Sequence, residues 1–398
     1  MTSTTGAAPS VLFVTKSLAI GGAERHLVQI IPALQSKGIA VALFVLERGG
    51  ELERALQGAD VAIEGIKAEG PHWLNIVRAG WALIRCIRNR RPDVVHFFLP
   101  EAYLVGGVAA ILAGHRCCLM SRRSLSHYQR GRPWLARLER LMHRRMVALL
   151  GNSQAVVDEL AAEVGERSRI GLIHNGVAIP PNLSDGARSR VRRELALGDE
   201  VMVMIIVANL IPYKGHADLI AALARVAPEL PPSWRLLAVG RDEGIGAALK
   251  AQAVDNGIAE RISWLGARDD VEAILPAADL ALLVSHQEGF SNALLEEMAQ
   301  GLAVIATEVG GNRDAIIDGQ SGRLVPVGDP AHLGEAILEL ACDAVSRRRL
   351  GSAARQRVIA RFSTDACIER YLRLYKGFAE LGKWPVQAII DGAAPIQS

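Results

Sequence analysis

Residues Asp279–Gly301 read "DLALLVSHQEGFSNALLEEMAQG". The apolar run at 279–284 has the length of a buried strand and does not alternate with polar residues. Such a run belongs in a parallel sheet covered on both faces. A polar corner containing Gly289 follows it. A helical pattern then begins, with Ser291 or Asn292 able to cap it and Gly301 able to stop it. Glu288 falls just before this helix and Glu296 two turns into it, with Glu297 rotated roughly 100° away. Two carboxylates at this spacing are open to three readings: an acid/base pair, a metal site, or holders of a ligand's hydroxyls. Only His286 is near enough to complete a metal set, and a glycosidase pair would have to flank one bond. Carboxylates accept hydrogen bonds from diols, which suits Glu296 to a ribose and Glu288 to a sugar hydroxyl.

The same strand-then-helix unit recurs in both directions along the chain. Upstream lie "VMVMIIVA" (201–208), "WRLLAVG" (234–240) and "ISWLG" (262–266), and downstream "LAVIAT" (302–307). The first half repeats the alternation with "VLFVT" (11–15), "VALFVL" (41–46), "DVVHFF" (93–98), "RCCLMS" (116–121) and "MVALLG" (146–151). Between the halves, "NGVAIPPNLSDGARS" (175–189) is polar, holds two prolines and reads as a linker. The pattern predicts two doubly wound, Rossmann-like α/β domains. The first spans 1–180 and the second 190–365, with a helix and tail over 366–398 packing back on the first. Ligands of such domains bind outside the carboxyl ends of the strands.

With 398 residues, half of them hydrophobic, the chain can build two cores. Residues 1–185 carry 22 Lys and Arg against 15 Asp and Glu, and the remainder 23 against 27, giving +7 and −4. That asymmetry predicts an anionic partner for the first half. The five cysteines show no CxxC spacing and read as buried reduced thiols. The N-terminus has no signal-type core, and the longest apolar run, "AYLVGGVAAILAG" (102–114), is too short to span a bilayer. It reads as a helix packed inside the protein. The expected location is cytoplasmic.

Two further loops carry candidate chemistry. Gly21-Gly22, in "SLAIGGAERHL" (17–27), opens a helix directly after the first strand. It is either a tight turn or a backbone anion site. Lys214-Gly215, in "VANLIPYKGHADLIAAL" (207–223), sits between a core strand and a helix. The lysine is either a solvated loop residue or a point charge for a phosphate. Gly310-Gly311 adds another glycine pair before a helix.

Taken with "GGAE" (21–24), "HNGV" (174–177), "PYKGH" (212–216), "VGRD" (239–242) and "WLGARDDV" (264–271), the block "EGFSNALLEEMAQGLAVIATEVGGNRDAI" resembles the retaining GT-B glycosyltransferases of the group 1 family, with its Glu-x7-Glu spacing at Glu288 and Glu296. The resemblance covers roughly residues 10–375. It implies a nucleotide-sugar donor, UDP- or GDP-linked, held mainly by the second domain. Glu288 and Lys214 would be catalytic. Glu296 would bind the ribose, the backbone of Gly289, Phe290 and Ser291 the sugar, and Lys214 the diphosphate. Gly22 would approach the diphosphate from the first domain, and Asn209, Gly240, Leu265 and Gly266 would complete the donor site. Gly21, Arg122, Arg123 and His127 would lie on the acceptor side. No cofactor and no metal are implied. The acceptor would be a glycan or lipid-linked glycan, and nucleic acid is not an expected partner. Asn209 departs from the pattern, since the family often has an arginine there. Arg241 or Arg313 would have to compensate. The alternatives are a nucleotide-sugar epimerase or phosphorylase on a similar fold, and a non-catalytic nucleotide-sugar-binding protein.

The stretch 122–145, "RRSLSHYQRGRPWLARLERLMHRR", holds eight arginines and one acid. Leu135, Leu138 and Met142 form an apolar stripe with Trp134 at its start. It reads either as a helix lying on an anionic membrane surface or as an ordinary domain helix with one core face.

Overall fold

The computed structural model describes residues 9–381 apart from 20, 130, 166 and 182–184. It divides into two compact units, Met1–Gly176 with Thr364–Ser398, and Val177–Ser363.

The first unit holds a seven-stranded sheet in the order β3-β2-β1-β4-β5-β6-β7, with every neighbouring pair parallel. Its strands are β1 (Ser10–Thr15), β2 (Ala40–Arg48), β3 (Ala62–Lys67), β4 (Val94–Phe98), β5 (Cys118–Arg122), β6 (Ala148–Gly151) and β7 (Ile170–Leu172). Successive side chains of a strand enter opposite faces. Val11 and Phe13 thus join one core, under the helices Gly22–Ser36 and Thr364–Leu381. Leu12 and Val14 join the other, under His72–Arg90, Pro100–Ala113, Pro133–His143 and Gln154–Val164.

The second unit repeats the plan with six parallel strands in the order β10-β9-β8-β11-β12-β13. These are β8 (Met202–Val207), β9 (Trp234–Val239), β10 (Ile262–Gly266), β11 (Leu280–Leu283), β12 (Ala303–Thr307) and β13 (Arg323–Val325). Met204 and Ile206 face one helical layer, and Val203 and Ile205 the other. In both units the first strand pairs on its two sides with strands reached by opposite crossovers: β1 with β2 and β4, β8 with β9 and β11. Beyond the carboxyl ends of those central strands lies the switch point, where loops diverge and leave a crevice.

Several expectations are corrected. β3, β7 and β13 were not signalled by the sequence. The helix Pro100–Ala113 is not packed inside on all sides, because Val108, Ile111 and Leu112 are exposed. The stripe at 135–142 splits, with Leu135 and Met142 buried and Leu138 turned outward. Cys342 is exposed, while Cys86, Cys118 and Cys367 are buried. Parts of four sequence features, Ile20 of the 17–27 stretch, 182–184 of the linker, Arg130 of the basic stretch and 382–398 of the tail, lie outside the described residues. Among the described residues, no helix is long and apolar enough to cross a membrane.

Candidate active site

The loops that leave β8 and β11 meet at the switch point of the second unit. After β8 the chain runs through Asn209 into a single turn, Pro212–Lys214. Gly215 then adopts φ +73° and starts the helix His216–Val226. A side chain at Gly215 would lie 2.0 Å from the carbonyl oxygen of Val284, so the two loops touch backbone to backbone there. The His286 N–H donates to the Tyr213 carbonyl at 2.7 Å, and the His286 ring lies 2.6 Å from Asp218. His286, the nearest metal-type residue to the two glutamates in sequence, is thus engaged in bracing the loops.

This bracing brings Lys214 and Glu288 together. Lys214 Nζ lies 2.5 Å from Glu288 Oε1, which also accepts from Ser285 Oγ at 2.7 Å. Both side chains are mostly buried, at 18% and 10% exposure, so the pair is little screened by solvent. Behind it, Gly310 at φ +46° presses on the Glu288 backbone, and a Cβ there would fall 1.8 Å from the Glu288 oxygen. Gly311 N–H donates to the Gly289 carbonyl at 3.0 Å. The loop after β12 therefore buttresses the Glu288 corner. Lys214 also acts on its neighbour: burial, and then the lysine charge, push the His216 imidazole down to about 4.

The helix Asn292–Ala299 is capped by Ser291, whose hydroxyl accepts from Leu294 N–H at 3.3 Å. Glu296 is half-buried and Glu297 fully buried. Neither carboxylate oxygen of Glu297 has a hydrogen-bond partner. Burial, reinforced by Glu296 and Glu288, raises its pKa well above the usual range. Phe290 buries its ring against Phe362, with centroids 5.4 Å apart, leaving its backbone as the part able to meet a ligand.

Asn209 ties loops together. Its Nδ2 donates to Glu243 Oε1 at 2.7 Å, and its Oδ1 accepts from the Arg241 N–H at 3.2 Å. Gly240 packs against Ala208, and its N–H donates to the Gly266 carbonyl at 2.9 Å, which sets Leu265–Gly266 at the same strand ends. Of the two arginines named to compensate for Asn209, Arg313 lies 3.3 Å from Glu308 and Arg241 is exposed.

In the first unit, Gly21 is extended and serves as N-cap of the helix Gly22–Ser36. Arg122 and Arg123, expected on the acceptor side, both turn inward. They are consecutive at the end of β5 and so enter opposite faces of the sheet. Arg122 is buried and bonds Glu163 at 2.7 Å and Glu139 at 2.9 Å. Tyr128 and Gln129 donate to the same Glu139. Arg123 donates to Asn175 Oδ1 at 2.5 Å, and burial lowers its pKa. His127 lies on the short helix Ser126–Gln129, half-buried. Sequence reading missed the buried imidazoles beneath this edge. His96 lies 2.7 Å from the Tyr375 hydroxyl and 2.8 Å from Ser121 Oγ, and burial lowers its pKa to about 3. The histidine in "DVVHFF" was the available signal.

Among the described residues, two groups of side chains have metal-ligand geometry, Glu47–His72–Glu101 and Glu139–His143–Glu163. Both belong to the first unit, and each already contains a cation: Lys16 lies 2.6 Å from Glu101, and Arg122 bridges Glu139 and Glu163. Part of the carboxylate charge in each group is therefore met by a protein cation.

Two family models match the chain, "Glycosyltransferase Family 4" over residues 20–179 and "Glycosyl transferases group 1" over residues 202–343. A D-inositol 3-phosphate glycosyltransferase of Geodermatophilus obscurus is 28% identical over 90% of this chain and 85% of that protein. The lipopolysaccharide core biosynthesis glycosyltransferase LpsE of Rhizobium meliloti is 24% identical over 89% and 95%. An N-acetyl-alpha-D-glucosaminyl L-malate synthase of Bacillus anthracis is 31% identical, but over 47% of this chain and 48% of its own length. Among solved structures, Anabaena Alr3699/HepE in complex with UDP superposes with a TM-score of 0.81 over 91% of this chain and 98% of that one, at 22% identity. WaaG, a glycosyltransferase involved in lipopolysaccharide biosynthesis, gives 0.71 over 92% and 100%, at 18% identity. The likeness identifies the fold as GT-B. One model for each half, with the Glu288–Lys214 corner inside the second, makes the conclusion direct: the chain belongs to the group 1 glycosyltransferases and is a transferase enzyme.

Proposed function

We propose that this enzyme moves a hexose-type sugar from a UDP- or GDP-sugar to a glycan or lipid-linked acceptor, with retention of configuration and without a metal. The observation that carries the reading is the Lys214–Glu288 pair at the switch point of the second unit. It sets a cation and a hydroxyl acceptor side by side where α/β domains take nucleotides. Support comes from Alr3699/HepE, whose solved complexes contain UDP and UDP-glucose. The names of the Geodermatophilus and Rhizobium relatives point to inositol phosphate and lipopolysaccharide core acceptors for those proteins.

In the proposed reaction the bond between the anomeric carbon and the phosphate oxygen breaks. The acceptor oxygen bonds to that carbon on the same face, and its proton passes to the leaving phosphate. Negative charge grows on the diphosphate, where Lys214 Nζ and the backbone at the start of the helix Asn292–Ala299 stabilise it in place of a divalent ion. Glu296 holds the ribose diol and Glu288 a sugar hydroxyl. The enzyme works in the cytoplasm, peripherally on the inner face of the membrane, with the exposed arginines of the basic stretch, Arg132, Arg137, Arg140, Arg144 and Arg145, turned to the lipid.

The test is a panel of nucleotide sugars scored by thermal stabilisation and then by transfer in the presence of EDTA. Stabilisation by a UDP- or GDP-sugar and EDTA-resistant turnover are expected. Stabilisation by none of them overturns the donor assignment, and loss of turnover with EDTA, restored by a divalent ion, overturns the metal-free mechanism.

A further inference from the structure

The outer surface of one helical layer in the first unit is apolar and positively charged along three neighbouring helices. On His72–Arg90, residues Trp73, Val77 and Trp81 recur every four positions and are 64%, 50% and 59% exposed. Arg85 and Arg88 continue that line. The helix Pro100–Ala113 lies alongside: Gly80 faces Val105, and Arg88 Nη2 donates to the Leu112 carbonyl at 2.8 Å. It exposes Val108, Ile111 and Leu112. The third helix, Pro133–His143, packs its Met142 on Gly107 and exposes Trp134, Leu138 and Leu141 on its other side. All three exposed tryptophans of the described residues lie on this surface.

Charge on this surface is one-sided. The helix His72–Arg90 contains four arginines and no acid. The only acid of Pro133–His143 is Glu139, which is buried on Arg122, while Arg137, Arg140, Arg144 and Arg145 are exposed. Glu101, the one acid of the middle helix, is held by Lys16. Where the second and third helices part, a cleft of ≈480 Å³ opens, walled by Arg116, Arg144, Arg145 and His115 over Ile111 and Met146.

We propose that this three-helix surface is the face by which the enzyme docks on an anionic lipid bilayer, with the arginine cleft taking a lipid phosphate. Tryptophans on an apolar surface ringed by arginines match the interface between acyl chains and headgroups. A neutral protein partner would leave the exposed Arg85, Arg137, Arg140, Arg144 and Arg145 uncompensated, and a second copy of this chain would bring like charge against like. The inference rests on the peripheral location proposed above but deepens it. Most of its apolar anchors lie outside residues 122–145, and it does not depend on the sugar transferred.

The test uses the full chain with vesicles of phosphatidylcholine alone or containing a third phosphatidylglycerol. Sedimentation with the anionic vesicles only, and a blue shift of tryptophan emission on binding, are expected. Trp73→Ala with Trp81→Ala should cut vesicle binding by about tenfold, with the melting temperature and transfer to a soluble acceptor unchanged. Arg144→Glu with Arg145→Glu should do the same, and 0.5 M salt should abolish the binding by screening it, to roughly a 4 Å range. Equal recovery with both vesicle types overturns the proposal. So does wild-type retention by the tryptophan variant, or a salt-resistant dimer that hides the tryptophans. Vesicle binding by a protein that transfers no sugar would sink the functional reading and leave the surface standing.

Discussion

Lys214 and Glu288 neutralise each other across 2.5 Å, and a bound diphosphate has to draw the lysine away from that carboxylate. The ion pair is therefore a brake on donor binding as well as part of the site. Glu288→Gln keeps the side-chain volume and the acceptor for Ser285 Oγ while freeing the ammonium. Calorimetric titration should show nucleoside diphosphate binding tightened by about three- to tenfold, the range expected when a partly buried pair loses one charge. Turnover should fall at the same time, because the sugar loses an ionised acceptor. Lys214→Ala should weaken diphosphate binding and lower kcat by about 10²–10³, the usual loss when one group stabilising a leaving charge is removed. If Glu288→Gln binds the diphosphate more weakly than the parent, the carboxylate is contacting the ligand rather than restraining the lysine. Glu288 is not a nucleophile in this scheme, so mass spectrometry of a stalled reaction should find no sugar on it.

The Glu288 corner is held by loops rather than by its own helix. Gly310 tests that claim, because a methyl group there meets the Glu288 oxygen at 1.8 Å and pushes the corner forward. Gly319 is the control: its φ of +69° is equally unfavourable to a side chain, but nothing lies within 4 Å of its Cβ position. Gly319→Ala should cost about 1 kcal/mol by denaturant titration, and Gly310→Ala more, since its methyl also displaces the Glu288 backbone. Only Gly310→Ala should also lower transfer, by tenfold or more. Equal activity of the two variants would show that the corner adjusts. This kind of contact marks the limit of what the sequence makes legible. Central strands such as β8 and β11 are continuous apolar runs, β1 and β4 are nearly so, and both domains could be read from them. β7 and β13 have three residues each, and β3 carries Glu64, Gly65 and Lys67, since edge strands need cover only part of their surface. The Glu-x7-Glu spacing marked Glu288 and Glu296. It could not show that Lys214 and Gly310 both close on the first of them, because those contacts join separate loops. Nor could it show that neighbouring Arg122 and Arg123 would part to opposite faces and be consumed by Glu139, Glu163 and Asn175.

Across the whole molecule, the two units share one plan but differ in the charges they bury, and acid should separate them. The first unit buries His26 and His96, with His96 lowered to about 3 and His26 well below its usual value, each chiefly by burial. Both stay neutral in the folded unit while the unfolded chain takes up a proton near 6.5. Their contribution is fully present above that value and is lost as pH falls below it. Between about pH 7.5 and about pH 5.5 this amounts to roughly 1.4 kcal/mol for each, or about 3 kcal/mol together. The second unit buries His216, lowered to about 4, which acts in the same direction. It also buries Glu297, whose raised pKa acts oppositely: the folded unit holds a proton that the unfolded chain releases, so that penalty lessens as pH falls. The two act against each other in this window. Hydrogen exchange corrected for intrinsic rates should therefore show protection of β1 and β4 dropping by about 10²-fold over the two pH units, with β8 and β11 changing less than about tenfold. Glu297→Gln should stabilise the second unit at both pH values and by more at the higher one, because the unfolded carboxyl is already mostly ionised at about pH 5.5 and the penalty of holding its proton in the fold grows with pH. Parallel loss of protection in both sheets would mean that the units unfold as one, and that the proton balance belongs to the whole chain.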